Sequence, residues 1–126
     1  MQRFIFASDL HGDQQDRRAV KALHTATDSF KPNIKIFGGD LIDARPLRRG
    51  ASAEKGASSM ADDWRRGLIL LSEWQPTHVL MGNHDQRLYD LTEDDSKPIE
   101  QDYGFPWVQV LEATTDKIDA KWLPYH

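Results

Sequence analysis

The sequence has no cysteine, no long apolar run and no excess of basic residues. The lack of cysteine excludes disulfides, thiolate metal sites and thiol nucleophiles, so any metal ligand must offer oxygen or nitrogen. The formal net charge of -4 gives no general attraction for nucleic acid or for an anionic membrane, and phosphate binding must therefore be local. No signal peptide is recognisable, because Met1–Arg3 leads directly into a short apolar run. We expect a cytoplasmic protein without membrane contact.

The length of 126 residues fits one domain, 1–126, with a single hydrophobic core. Three apolar runs in it are each followed by polar residues that bind metals or move protons. The runs and their polar segments are Phe4–Ala7 with Ser8–Asp13, Ile34–Phe37 with Gly38–Asp40, and Val79–Met81 with Gly82–Asp85. Strand-like runs that alternate with helical patterns predict an α/β fold, a mostly parallel sheet flanked by helices. Ligands bind such sheets at the carboxyl ends of the strands, so the three polar segments should lie together.

Apolar residues at a spacing of three and four predict the helices between these runs. The predicted helices are Gln14 to about Phe30 with Asp13 as N-cap, Ser59 to Trp74, a short helix that ends near Leu91, and a helix from Pro106 to Ile118. A strand at Trp107–Leu111 is the alternative to the last of these. The predicted strands are Arg3–Ala7, Asn33–Phe37, Thr77–Met81 and a further strand that begins at Trp122. Loops are expected at Leu41–Ser59, with a turn of helix at Ser52–Lys55, and at Thr92–Tyr103.

The polar segments contain Asp9-Leu10-His11, Gly39-Asp40 and Gly82-Asn83-His84-Asp85, which resemble the motifs of the calcineurin-like metallophosphoesterases. The basic run Arg45–Gly50 is similar to that of phage and prophage members. The resemblance implies the N-terminal half of the family's α/β/β/α sandwich. It also implies hydrolysis of a phosphoester, above all a phosphodiester, by a dinuclear metal centre and a metal-bound hydroxide.

Each motif residue receives a role from this resemblance. Asp9, His11, Asp40 and Asn83 would be metal ligands, with Asp40 as the bridge between two divalent cations. His84 would contact the substrate and protonate the leaving oxygen, and Asp85 would fix the orientation of the His84 imidazole. Mn²⁺ is the first candidate for the metal. Zn²⁺, Fe and Ni²⁺ also accept this mixture of carboxylate, amide and imidazole ligands.

Two further histidine motifs of the family, Gly-His and Gly-His-x-His, do not occur in the sequence. We therefore expect a truncated domain, whose site is completed by a second copy of the chain or by a missing carboxyl-terminal segment. A sheet without the family's second layer should expose apolar area. His126 is a further candidate ligand, whereas His24 and His78 are expected to be structural.

Two other functions are compatible with the sequence. One is a catalytically incomplete remnant that binds a metal or a partner protein through its uncovered sheet. The other is a nuclease or a DNA-binding protein, in which Arg45, Arg48 and Arg49 hold the nucleic-acid backbone by forked, bidentate contacts to phosphate. The substrate itself is not determined by the sequence, because specificity in such folds comes from the loops around the site.

Overall fold

Four parallel strands lie side by side in the order in which they occur in the chain. The computed structural model describes residues 1–47 and 53–123. The strands are β1 (Phe4–Ala7), β2 (Ile34–Phe37), β3 (His78–Leu80) and β4 (Lys121–Leu123). In the register of the sheet, Phe4 lies opposite Ile34, Ile36 opposite His78, and His78 opposite Lys121. The prediction of a mostly parallel α/β sheet is confirmed.

Helices connect each strand to the next. They are α1 (Arg17–Phe30), α2 (Ala53–Trp74), α3 (Asn83–Glu93) and α4 (Pro98–Lys117), and short 3-10 helices lie at Gly12–Gln14 and Arg45–Leu47. Right-handed crossovers between strands laid down in one direction place the connecting helices on the same face of a sheet. Among the residues described, no helix combines the length and the apolar character needed to cross a bilayer.

The hydrophobic core lies between this helical layer and one face of the sheet. Phe37 and Val79 on that face are at most 1% exposed, and they belong to one cluster with Leu71, Trp74 and Leu111 of the helices. Trp74 also joins two helices, because its indole N–H donates to Thr27 Oγ1 at 2.9 Å. Alternate residues of the strands therefore supply the core, as expected when only one face of a sheet is covered.

The other face of the sheet carries apolar side chains that no described helix covers. Phe4 and Phe6 of β1 are 63% and 56% exposed, and Leu123 of β4 is 42% exposed. Phe6 lies opposite Ile36 in the parallel register, so these side chains share one face. The exposed apolar area expected from the sequence is thus present in the structure.

The predicted start of the first helix is wrong. The N-cap of α1 is Asp16, whose carboxylate accepts hydrogen bonds from the N–H groups of Arg18 and Ala19, and not Asp13. Asp13 lies in the first 3-10 helix, and its carboxylate pairs with Arg45. Asp13 therefore forms a long-range ion pair with Arg45 instead of capping the helix as the local sequence predicts.

The second and fourth helices begin earlier than predicted. α2 begins at Ala53 and not at Ser59, so it takes up part of the predicted loop. α4 begins at Pro98 and contains Pro106 in its interior, so the predicted loop at Thr92–Tyr103 is largely helical and the strand at Trp107–Leu111 is absent. Gly104 lets α4 pack closely on α3, since a Cβ atom there would lie 3.1 Å from side-chain atoms of Leu91 and Thr92.

Candidate metal centre

The loops after β1 and β2 are joined by backbone hydrogen bonds that continue the pairing of the strands. The N–H groups of Asp9 and His11 donate to the carbonyls of Gly39 and Asp40, both at 2.9 Å, and a third bond joins Gly12 to Leu41. Asp9, His11 and Asp40 all have positive φ angles, between 54° and 59°, which turn their loops back across the sheet edge. The first two motifs therefore meet as predicted from the parallel strands.

The loop after β3 is fixed to the same edge by the Asp85 carboxylate, which is 2% exposed. Its oxygens accept hydrogen bonds from four backbone N–H groups, which belong to Asp40, Leu41, Ile42 and Gly82, at 2.8 to 3.3 Å. Burial raises the pKa of Asp85 to about 6, and the hydrogen bonds from the N–H groups of Gly82, Ile42 and Leu41 oppose that shift.

Gly82 is required by the close approach of the loops after β2 and β3. A Cβ atom at Gly82 would overlap the carboxylate and the backbone nitrogen of Asp40. The Asp40 carboxylate also accepts a hydrogen bond from the His84 N–H at 2.9 Å, in the first turn of α3. The glycine of the third motif therefore brings α3 to the bridging carboxylate that the resemblance predicts.

The three loops bring together His11, Asp40 and His84. One ligand atom from each of these side chains lies within 4.8 Å of the others. The two imidazole rings meet edge to face, with centroids 4.7 Å apart. Two ligands of one ion are separated by at most about 4.2 Å, twice a typical bond length, so His11 and Asp40 need only a small contraction to share a divalent cation, with His84 beside it.

Asp43 holds both imidazole rings, and sequence reasoning did not identify it. Its Oδ1 lies 2.9 Å from His11 Nδ1, and its backbone carbonyl oxygen lies 2.7 Å from His84 Nδ1. Carboxylate and carbonyl oxygens only accept, so both Nδ1 atoms donate a proton and both Nε2 atoms are free to ligate or to exchange a proton. A hydrogen bond to the second ring nitrogen is the usual partner of a metal-bound histidine. The donor set therefore fits a metal.

The orientation of His84 differs from the prediction. Asp85 is expected from the sequence to orient this imidazole, but its oxygens are instead engaged by backbone N–H groups, while Asp43 contacts the ring. The physical reason is burial, since Asp85 points from the first turn of α3 into the loops behind the site. The nearness of Asp43 to Asp40 in the sequence was the only signal for Asp43, and it does not distinguish Asp43 from the other carboxylates of the chain.

The remaining predicted ligands lie at the edge of the cluster. Asp9 has a side chain that is 62% exposed, with Oδ1 3.5 Å from His11 Nε2. A hydrogen bond from the Ser8 hydroxyl is the main cause that lowers the pKa of Asp9, so this carboxylate stays ionised. Asn83 is exposed as the first residue of α3, next to His84. Their roles as ligands remain predictions.

The arginines proposed for phosphate or nucleic acid are only partly described. The Arg45 guanidinium is engaged by Asp13, at 2.7 and 2.9 Å, and lies 3.3 Å from Asp43 Oδ2. Arg48, Arg49 and His126 lie outside the described residues. His78, at the amino end of β3, is on the opposite edge of the sheet from the cluster, and His24 lies within α1, as expected for structural histidines.

Comparison with known proteins extends the similarity beyond the three motifs. A family model described as calcineurin-like phosphoesterase matches residues 2–123, from the residues before β1 to the end of β4. A comparison with curated proteins finds no match.

Proposed function

Because this chain belongs to the calcineurin-like phosphoesterase family, we propose that it is a metal-dependent hydrolase that cleaves phosphodiesters with two divalent cations. The observation that carries this proposal is the meeting of His11, Asp40 and His84 at the carboxyl edge of a parallel sheet. The edge is where open α/β sheets bind their ligands.

The residues of the chain divide into ligands and a proton carrier. His11 and Asp40 would hold the metal with Asp9, and Asn83 would add an amide oxygen beside them. Divalent cations bound there would polarise the phosphoester and lower the pKa of a water molecule. His84 presents Nε2 to the same space, because its Nδ1 proton is held by the Asp43 carbonyl, and in its protonated form it would donate to the leaving oxygen.

Mn²⁺ is our first candidate for the metal, and Zn²⁺, Fe and Ni²⁺ are the alternatives. Imidazole and carboxylate ligands together suit all four, whereas an all-oxygen site would favour Mg²⁺ or Ca²⁺. Binding by isothermal titration of the metal-free protein would give the order of affinities and the stoichiometry. Two ions per active unit support the dinuclear centre, and one ion contradicts it.

The test of function is hydrolysis of bis-p-nitrophenyl phosphate and p-nitrophenyl phosphate by the purified chain with added Mn²⁺. Turnover should be faster with the diester, and His84→Ala should lower it at least a hundredfold, within the range that general acid catalysis contributes. His78→Ala is the matched control, since this histidine is at the opposite end of β3. Equal turnover by the two variants, or none from the folded wild-type chain, would refute the proposal.

The uncovered face of the sheet favours a second candidate, a catalytically incomplete module that binds a metal or a partner protein. The face around Phe4 and Phe6 could be covered by a second copy of the chain or by a further carboxyl-terminal segment. Light scattering would show a dimer for the first, and Phe6→Lys should then give monomers. A monomer that binds one Mn²⁺ and shows no turnover would support the module over the enzyme.

The third candidate, a nuclease, depends on the arginines that follow Asp43. Their pairing with phosphate predicts DNA binding that falls steeply as the salt concentration rises. Arg48→Ala with Arg49→Ala should then weaken binding without changing metal affinity. Salt-independent binding, or no binding, would contradict this candidate.

A further inference from the structure

Asp63 is a buried carboxylate that the sequence patterns and the ligand cluster do not include. It lies on α2 and is 1% exposed. Its Oδ1 accepts a hydrogen bond from the Asp43 N–H at 2.9 Å, and its Oδ2 accepts one from the Ala44 N–H at 2.8 Å. Burial raises the pKa of Asp63, and the two N–H groups oppose this shift. A buried carboxylate is costly, and here both of its oxygens are engaged.

The loop that Asp63 holds adopts a backbone conformation that needs support. Ala44 has a φ of 54°, which is unfavourable for a residue with a Cβ, and it is fully buried. Asp63 also lies against the loop after β1, since a Cβ at Gly12 would overlap its Oδ1. One side chain of α2 therefore accepts two hydrogen bonds from the loop after β2 and packs against the loop after β1.

The hydrogen bonds continue from Asp63 to the ligand cluster. Asp63 fixes the backbone of Asp43, and the Asp43 carboxylate accepts the Nδ1 proton of His11 at 2.9 Å. The His11 Nε2 atom then faces Asp9, 3.5 Å from its Oδ1. If Asp43 moved, His11 could place its proton on Nε2 and would lose the atom that ligates.

We propose that Asp63 is a positioning residue, which holds Asp43 against His11 and so determines which nitrogen of His11 is free to bind a metal. This inference rests on the proposed metal-dependent function, which makes the free nitrogen useful. The carboxylate is required because each of its oxygens meets an N–H donor. An amide in its place would present a donor to one of these N–H groups.

The test compares Asp63→Asn with Asp62→Asn in the metal-free chain of residues 1–126. Asp62 is the neighbouring residue and is paired at the surface with Arg65. Its replacement by asparagine removes the same charge as Asp63→Asn. The ¹⁵N chemical shifts of the His11 imidazole should show the Nδ1–H form in wild type and in Asp62→Asn, and a loss of that form in Asp63→Asn. Zn²⁺ binding, measured by isothermal titration, should be about tenfold weaker in Asp63→Asn alone, which is at the lower end for loss of an outer-shell partner.

Failure of this inference can be distinguished from failure of the proposed function. An unchanged His11 tautomer and unchanged Zn²⁺ affinity in folded Asp63→Asn would overturn the positioning role, whatever the rate of hydrolysis. A shifted tautomer and weakened Zn²⁺ binding, with no hydrolysis by wild type, would support the positioning role of Asp63 and contradict the proposed hydrolase activity.

If Asp63→Asn does not fold, the proposal can be tested on the wild-type chain. Amide hydrogen exchange at Asp43 and Ala44 should be strongly slowed, because Asp63 holds both N–H groups in the interior. Exchange at the rate of an unstructured peptide would show that Asp63 does not hold this loop, and would overturn the proposal.

Discussion

Replacement of Asp85 by alanine should destabilise the fold, because this residue holds the loops in addition to any role in catalysis. The substitution removes the acceptor of four backbone N–H groups in the loops after β2 and β3. Leu41 and Ile42 are each 2% exposed, so water cannot replace the carboxylate at their N–H groups. The N–H groups of Asp40 and Gly82 lie nearer the surface and can be hydrated.

The expected loss is set by the two buried donors. A buried N–H group without a partner costs about 2 kcal/mol, so Asp85→Ala should lower the free energy of unfolding by about 4 kcal/mol. This is a large fraction of the stability of a typical domain.

Urea unfolding at pH 7 with EDTA, followed by tryptophan fluorescence, measures this loss. Asp90→Ala is the matched control on the same helix, because Asp90 is exposed and its carboxylate accepts from the Gln86 side chain and, among the described residues, from no backbone N–H group. Its effect should stay within about 0.5 kcal/mol. The reasoning is refuted if Asp85→Ala costs no more than Asp90→Ala with an unchanged dependence on urea, since the loops would then not depend on this carboxylate.

Three further predictions follow from contacts of the same structure. Burial raises the pKa of Asp85 to about 6 from 3.8, so the folded state binds this proton more tightly than the unfolded state. The free energy of unfolding of the metal-free chain should therefore fall by about 3 kcal/mol as the pH rises from about 4 to about 6, a decline that Asp85→Asn should lack in urea unfolding. Gly82→Ala should abolish Mn²⁺ binding in isothermal titration, because its Cβ would displace Asp40; unchanged affinity would show that the loops can separate without loss of the site. Trp74→Phe removes the donor to Thr27 and part of the buried ring, and should cost about 2 kcal/mol in thermal unfolding, whereas Thr27→Val should cost about 1 kcal/mol; equal stability of all three proteins would argue against this bond.

The sequence was sufficient to predict where the three motifs meet. Parallel strands bring their carboxyl ends to one edge, so the ends of β1, β2 and β3 had to place Asp9, Asp40 and His84 near one another. The absence of the second layer seen in the resembled family also predicted an exposed apolar face, as Phe4 and Phe6 show. The meeting of the motifs depends on periodicity and chain direction, which are local properties of the sequence.

Side-chain partners across the loops could not be predicted in the same way. Asp43 and Asp63 are joined through a loop that contains the left-handed residue Ala44. Alanine is not a residue type that indicates this conformation in a sequence. Asp13 leaves its predicted capping position because Arg45 lies within reach in space. Each of these outcomes depends on segments that are distant in the sequence.

The order of the strands has a consequence for how the protein folds during synthesis. Each strand pairs with the strand that precedes it in the chain, so the sheet can grow in the direction of translation without waiting for a distant segment. His11 and Asp40 lie in the loops after β1 and β2, whereas His84 reaches them only when β3 has paired. A divalent cation bound at this edge would favour the sheet with β3 paired, and would make this pairing harder to reverse.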